Sequence, residues 1–261
     1  MAEQAARPVV EILWTGGFDS SFRMVQLSRQ PVTVQPYYIR AGRRSEGFEL
    51  GAVNRIRAML LARPETAADI REPVVLDKGD IAVPQDIQEA ARSLFQKFGL
   101  KSQYEWLAAF ARAHPGVEAG IAKMGVANRT MAQNGGTCAF KDERGGTYYA
   151  ISPDAARDVL LLFDNFRYPI LDVSKLDMRA EYIRLGYADV MEATWFCHHP
   201  FRGRPCGVCG PCTQTIAEGM PERFGKAALR RARHREPWRL ALSGHEKLTD
   251  IGRRMRRAGT R

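Results

Sequence analysis

The first segment with the residue types for chemistry lies near the amino terminus, where an apolar run from Val9 to Trp14 leads into Thr15-Gly-Gly-Phe-Asp-Ser-Ser21. A buried strand that passes through glycines into a helix presents unpaired backbone N–H groups and the positive end of the helix dipole, which attract anions. Gly16 and Gly17 allow the backbone to approach a phosphate closely, and three hydroxyl side chains add donors. The segment predicts a phosphate-binding loop. The alternative is a glycine-rich turn capped by an acid or a hydroxyl.

The second such segment is a group of cysteines with the spacing Cys-x8-Cys-x2-Cys-x2-Cys, formed by Cys197, Cys206, Cys209 and Cys212. Intervening glycines and a proline let the backbone curl so that several sulfurs converge. Four thiolates in a tetrahedron with no open position are typical of a structural zinc site. His198 or His199 could replace one sulfur, and a redox pair or an iron–sulfur cluster remains an alternative.

The elements that must position these segments alternate between short apolar runs and helical patterns. The predicted strands are residues 9–14, 32–39, 73–76, 117–124 and 168–171; the predicted helices begin at Phe22 and cover 49–62, 85–98, 102–113, 155–163 and 175–185. Such alternation predicts an α/β chain with a doubly wound parallel sheet and right-handed crossovers. The ligand of such a sheet lies at the carboxyl ends of its strands, where the glycine loop falls.

Residues 125–150 interrupt this alternation with a polar, glycine-rich stretch. Its last part, around Glu143–Gly146 and Thr147–Ile151, predicts a β-hairpin with a Gly-Gly turn. An insertion at the ligand-facing end of the sheet would serve as a substrate cap. The apolar stripes of the helices at 85–98 and 102–113 predict core packing, and a nucleobase pocket is the alternative.

Composition limits the classes of protein to which the chain can belong. The 261 residues are 45% hydrophobic, which suits one large globular domain with a small appendage. No apolar run approaches the roughly 20 residues of a membrane span, and the amino terminus lacks the apolar stretch of a secretory signal. Five cysteines, four of them clustered, indicate a metal site in a reducing compartment. We therefore expect a cytoplasmic protein with no membrane contact.

The net charge of +10 is concentrated at one end of the chain. Residues 223–261 hold thirteen Lys and Arg against three acids, and the remainder holds 26 of each sign. The glycine loop, the clustered cysteines and this uneven charge together predict three regions: a nucleotide-binding domain at 8–192, a zinc-binding region at 193–224 and a basic tail at 225–261.

The glycine loop, written [ST]-G-G-x-D-S-[ST], resembles the pyrophosphate loop of the PP-loop ATP pyrophosphatases (N-type), whose fold is of the adenine nucleotide alpha hydrolase or HUP type. With the segments Pro169–Lys175, Thr194–Cys197 and Cys206–Cys212, the layout resembles that of the 7-cyano-7-deazaguanine synthase family. The resemblance covers roughly residues 9–224 and is strong at both ends. The middle of the chain lacks the stretches that recognise the substrate in that family.

The resemblance implies a ligase of the queuosine-biosynthesis type that adenylates the carboxylate of 7-carboxy-7-deazaguanine with ATP and lets ammonia displace AMP. A second ATP would then convert the amide to a nitrile. It implies Mg²⁺ on the phosphates, structural zinc on the four clustered cysteines, and a homodimer. It assigns ATP binding to Leu13, Trp14, Thr15, Gly16, Gly17, Phe18, Asp19, Ser20, Ser21, Phe22 and Arg23, and catalytic roles to Asp19, Ser20 and Lys175.

Two other readings of the function stay open. One is a PP-loop enzyme that thiolates or amidates RNA, with Cys138 as sulfur carrier and the arginines of Arg230–Arg235 and Arg253–Arg257 on the phosphates. The other is a zinc-stabilised binding module with an inactive loop, which the intact Asp19 and its flanking hydroxyls disfavour. The acceptor is thus a small acid with ammonia or another amine, or RNA bound through the tail.

Overall fold

The computed structural model describes residues 7–123 and 125–235. These residues divide into two compact units, the first formed by residues 7–42 and 48–195 and the second by residues 43–47 and 196–235. Nowhere in this part of the chain is a helix both long and apolar enough to cross a bilayer. The chain is α/β, and its central sheet is mostly parallel.

The strands are β1 (Val9–Leu13), β2 (Thr33–Arg40), β3 (Asp69–Ile70), β4 (Val74–Asp77), β5 (Val117–Ala119), β6 (Thr137–Lys141), β7 (Thr147–Ile151) and β8 (Phe166–Arg167). The helices are α1 (Phe18–Ser28), α2 (Glu46–Leu61), α3 (Gln85–Phe98), α4 (Gln103–Ala113), α5 (Val126–Gln133), α6 (Arg157–Phe163), α7 (Lys175–Arg184), α8 (Ala188–Glu192), α9 (Gly210–Ala217) and α10 (Lys226–Arg233). Short 3₁₀ turns cover Lys78–Asp80 and Pro221–Arg223.

The central sheet has the strand order β3-β2-β1-β5-β8, and its pairings are parallel. The strand β4 also pairs with β2 in parallel, further along it than β3 does. Strand β1 pairs with β2 on one side and with β5 on the other; Val10 and Ile12 are buried on one of its faces, and Leu13 on the other face packs against the core. The chain therefore leaves β1 towards β2 on one side and later returns on the other side as β5.

Helix α1 begins earlier than the apolar pattern predicts, at Phe18 and not at Phe22. Gly17, in an extended conformation, is its N-cap, and Asp19 lies in its first turn, where a negative charge is favoured by the helix dipole. The acid and both serines of the glycine loop consequently belong to the helix. Only Thr15, Gly16 and Gly17 form the connection from β1.

Two predictions for the later part of the first unit are wrong. The last strand of the sheet is Phe166–Arg167 and not 168–171. Tyr168 forms only an isolated bridge, to Tyr149. Pro169 lies in a turn and has no N–H to donate to a neighbouring strand. The polar stretch after residue 125 contains α5, which was not predicted. Its polar side chains bond to its own backbone: Thr130 Oγ1 donates to Val126 O at 2.9 Å and Asn134 Nδ2 to Thr130 O at 2.7 Å.

Two other predictions are confirmed. Helix α3 covers residues 85–98, and β6 and β7 form the expected antiparallel hairpin. Ser174 caps α7 in a capping box with Asp177, each side chain bonding to the other residue's backbone N–H. The strand β5 is shorter than the predicted 117–124, because it ends at Ala119, before Gly120.

Candidate functional site

The glycine loop is held in place by close backbone contacts on two sides. Gly16 has a φ of +68°, and a Cβ added there would lie 2.6 Å from the carbonyl oxygen of Glu49 in α2. On the other side, the backbone N–H of Trp195 donates to the carbonyl oxygen of Gly16 at 2.8 Å. Only glycine combines this conformation with this packing distance. The backbone path of the loop is therefore fixed before any ligand binds.

The hydroxyl groups of the loop, in contrast, are loosely bonded. Ser20 Oγ lies 3.4 Å from the backbone N and from the Oγ1 of Thr15, and 3.4 Å from Gly17 O. The N–H of Gly17 reaches Thr15 Oγ1 at 3.4 Å as well. These distances are at the long end for hydrogen bonds. An incoming anion could replace them with shorter bonds to the same N–H and O–H groups.

Three residues predicted to be catalytic come together at this loop. The ammonium of Lys175, the first residue of α7, forms an ion pair with the carboxylate of Asp19. It also lies 4.8 Å from the ring centroid of Phe18. The Lys175 side chain is 12% exposed and that of Asp19 is 27% exposed. Ser20 follows Asp19 on α1, so a cation, a carboxylate and a hydroxyl lie at the first turn of this helix.

Four of the residues predicted to bind ATP anchor α1. Trp14, Ser21 and Phe22 are fully buried, and Trp14 Nε1 donates to Ser21 Oγ at 3.0 Å. Arg23 forms a buried, two-pronged ion pair with Glu118 of β5, with distances of 2.7 and 2.8 Å.

A pocket of about 260 Å³ opens at the carboxyl ends of β1 and β5. It is lined by Leu13, Thr15, Gly17, Phe18, Asp19, Ser20, Gln103, Tyr104, Leu107, Ala119, Gly120, Ile121, Phe163, Phe166 and Tyr168. The strand order changes direction between β1 and β5, and ligands of open α/β sheets bind at such a switch point. The pocket thus lies where the strand pattern places a ligand.

The walls of this pocket are aromatic and apolar. Tyr104 and Leu107 of α4 line it, whereas Phe110 of the same helix is buried in the core. The apolar stripe of α4 is thus divided between core and pocket. In α3 the predicted core stripe does not include Phe95, whose side chain is 60% exposed. Burial raises the pKa of Tyr104 and holds that of Tyr168 well above its usual value, so both rings stay neutral. Flat neutral rings favour stacking with an aromatic ligand.

Sequence reasoning missed the β5 side of the site. A Cβ at Gly120 would lie 2.8 Å from the backbone N of Ser20, so this glycine lets the end of β5 touch the first turn of α1. Glu118, two residues earlier, holds Arg23 of the same helix. A glycine directly after a short apolar run was the one available signal, and no local pattern marks Glu118.

The four clustered cysteines lie together in the second unit and are buried. Their sulfur atoms all lie within 4.8 Å of one another, with 3.8 Å between Cys206 and Cys212 and 4.0 Å between Cys209 and Cys197. Four sulfurs about 2.3 Å from a tetrahedral ion lie about 3.8 Å apart. The spacing therefore fits a single metal ion such as zinc, and it leaves no room for an iron–sulfur cubane, in which each thiolate binds a different iron.

Backbone and thiol hydrogen bonds prepare the sulfurs for a cation. The N–H groups of Val208 and Cys209 point to Cys206 Sγ at 3.4 and 3.3 Å, and that of Cys206 points to Cys197 Sγ at 3.2 Å. Hydrogen bonds with the other thiols, that of Cys197 first, lower the pKa of Cys206 and lower that of Cys209 to about 7. The same mutual hydrogen bonds raise the pKa of Cys197 and of Cys212, so these two thiols hold their protons until a cation binds. Two of the four groups are thus predisposed to the thiolate form that binds metal.

The turn that carries Cys206 and Cys209 is packed against α10. A Cβ at Gly207, which has a φ of +84°, would lie 2.2 Å from the carbonyl oxygen of Ala228. Arg231 Nε donates to the carbonyl oxygen of Cys206 at 2.8 Å. The first part of the predicted basic tail therefore supports the cysteine turn. Residues 236–261 of the predicted tail, which include Arg253–Arg257, lie outside the described residues.

Cys138 lies on β6 opposite Ala150 and is half-buried. It is not among the residues that line the pocket at the glycine loop.

The chain matches no protein-family model, and no curated protein matches it either. What the two sites do is therefore inferred from their geometry and from the motifs of the sequence.

Proposed function

We propose that this protein is an ATP-dependent ligase that adenylates the carboxylate of a small acid and passes the acyl group to ammonia or another amine. The observation that carries the proposal is the constellation of Asp19, Ser20 and Lys175 around a glycine loop that opens into the switch-point pocket. A rigid loop with loosely bonded donors, next to one cation and one carboxylate, suits the binding of a polyphosphate and its metal.

In this proposal the triphosphate lies along the first turn of α1. The N–H groups of the loop and the hydroxyl of Ser20 bond to phosphate oxygens, and Lys175 leaves Asp19 to contact the phosphates. Asp19 and Ser20 would supply the oxygen ligands that Mg²⁺ prefers, and bound Mg²⁺ would neutralise charge on the phosphates. A carboxylate oxygen of the acid attacks the α-phosphorus, and the bond from that phosphorus to the bridging oxygen breaks with release of pyrophosphate. The amine nitrogen then attacks the acyl carbon, AMP leaves with the bonding electrons, and the nitrogen loses a proton.

The resemblance to the 7-cyano-7-deazaguanine synthase family gives the finer version of the proposal. It includes a doubly wound sheet of the HUP type, an acid that carries a purine-like ring, and structural zinc on the four cysteines. The aromatic walls formed by Tyr104, Phe163 and Phe166 support a flat ring in the pocket. The burial of all four cysteines, none of them more than 8% exposed, supports a structural rather than a catalytic metal.

The products of ATP turnover test this function. We expect the protein, given Mg-ATP, ammonium and a panel of carboxylic acids that includes deazapurine acids, to form AMP and pyrophosphate in step with the amide. Omission of the acid should suppress AMP formation, because the acid is the attacking group. Chromatography of the nucleotides distinguishes the outcomes, and ADP as the nucleotide product would rule the proposal out.

A further inference from the structure

A second cavity of about 180 Å³ lies beside the amino-terminal half of β1, in the first unit. Among the residues that line it are Glu11, Gly116, Glu118, Arg144 and Arg167. Its lining shares no residue with the pocket at the glycine loop. The cavity is thus a separate polar site, built from β1, β5, β8 and the turn between β6 and β7.

Arg144 comes from the hairpin turn and has one unsatisfied donor. Its Nη2 and Nε atoms donate to Asp142 Oδ2 at 2.6 and 3.2 Å. Its Nη1 atom is buried and has no hydrogen-bond partner within residues 7–123 and 125–235. A buried donor without an acceptor is unfavourable, and that of a charged group especially so. An acceptor atom from outside the protein would remove this penalty.

Arg167 brings a second guanidinium to the same cavity. Its Cζ lies 4.7 Å from the ring centroid of Tyr148, and its Nε would be 3.4 Å from a Cβ added at Gly116. No carboxylate of the described chain lies within ion-pair distance of it. Stacking on Tyr148 orients the planar group without consuming its N–H donors.

The two carboxylates at the cavity are already engaged elsewhere. Glu118 accepts two hydrogen bonds from Arg23, and Glu11 accepts one from the hydroxyl of Tyr37 at 2.7 Å and lies 3.2 Å from His114 Nδ1. Neither is within ion-pair distance of Arg144 or Arg167. The Nη1 atom of Arg144, whose other two nitrogens are bonded to Asp142, and the guanidinium of Arg167 are therefore available to a ligand.

We propose that this cavity binds a small oxyanion, a phosphate or carboxylate group, between Arg144 and Arg167. Guanidinium groups match the geometry of both anions through paired N–H donors. The size of the cavity suits a group such as phosphate or a short dicarboxylate. The proposal is independent of the ligase function, since it uses none of the residues at the glycine loop.

Calorimetric titration of the full-length protein with inorganic phosphate, and separately with succinate, at constant ionic strength tests this site. We expect saturable binding of at least one of the two anions, and the tighter one identifies the ligand class. Arg167→Gln should weaken it on the order of tenfold or more, because one charge-assisted pair is lost. Arg144→Gln should do the same, and Arg167, which is exposed, gives the result least subject to misfolding.

Two control variants separate this site from others. Arg55→Gln, an exposed arginine of α2, should bind as the unaltered protein does. Lys175→Gln should also retain this binding event, whereas it would remove phosphate bound at the glycine loop. The proposal is overturned if neither anion binds saturably, if Arg144→Gln and Arg167→Gln bind like the unaltered protein, or if Lys175→Gln abolishes the only binding event.

Discussion

Replacement of Cys209 with serine is expected to unfold the second unit and release its metal. The four sulfurs converge within 4.8 Å, and the buried turn around them is packed against α10 at Gly207. Structural zinc contributes about 10 kcal/mol or more to the folding of small metal domains. Loss of one thiolate leaves three ligands and a buried polar hydroxyl. Hydrogen exchange across residues 196–235 should rise to near-unprotected rates, and mass spectrometry should show less than one zinc per chain.

Cys138→Ser is the matched control for this prediction, since Cys138 lies on β6 and outside the cluster. It should keep one metal ion and normal protection of α9. A Cys209→Ser protein that keeps both the protection of α9 and full activity would contradict a structural role for the metal. Treatment of the unaltered protein with a strong chelator should reproduce the effect of the substitution.

Asp19→Asn is expected to lower ATP turnover by about a hundredfold or more while the protein stays folded. The substitution keeps the size of the side chain but removes the charge that pairs with Lys175 and that would hold Mg²⁺. Loss of one such electrostatic contact in an active site costs on the order of 10² to 10³ in rate. The side chain is 27% exposed and lies in the first turn of α1, so the loss of stability should stay below about 2 kcal/mol.

The control for this prediction is Asp80→Asn, which changes an exposed acid after β4. It should leave both turnover and stability unchanged. Steady-state kinetics and urea unfolding on the same preparations give the two quantities. Full turnover by the Asp19→Asn protein would remove the carboxylate from the mechanism.

The parts of the site that could be predicted are those encoded by neighbouring residues. The segment from Thr15 to Ser21 carries its strand, its glycines and its hydroxyls within a few positions, and the cysteine spacing is equally local. Ser174 and Asp177 likewise form a capping box over three residues. In each case the sequence distance is short enough that residue type and spacing determine the contact.

The parts that could not be predicted depend on long-range contacts or on very short elements. The ion pair of Arg23 with Glu118 joins residues 95 positions apart, and no periodicity indicates it. Strands β3 and β8 have two residues each, too few to alternate. Helix α5 was missed because its asparagines and threonine are typical of loops until their hydrogen bonds to the helix are known.

The most direct test of adenylation is isotope exchange between pyrophosphate and ATP, with ammonium withheld. If the acid is adenylated reversibly in the pocket at the glycine loop, labelled pyrophosphate should enter ATP only when an acid substrate is present. The exchange should fall with Asp19→Asn by the same factor as turnover and should not change with Asp80→Asn. Conversion of the same acid to its amide with formation of ADP and with no label in ATP would contradict the account.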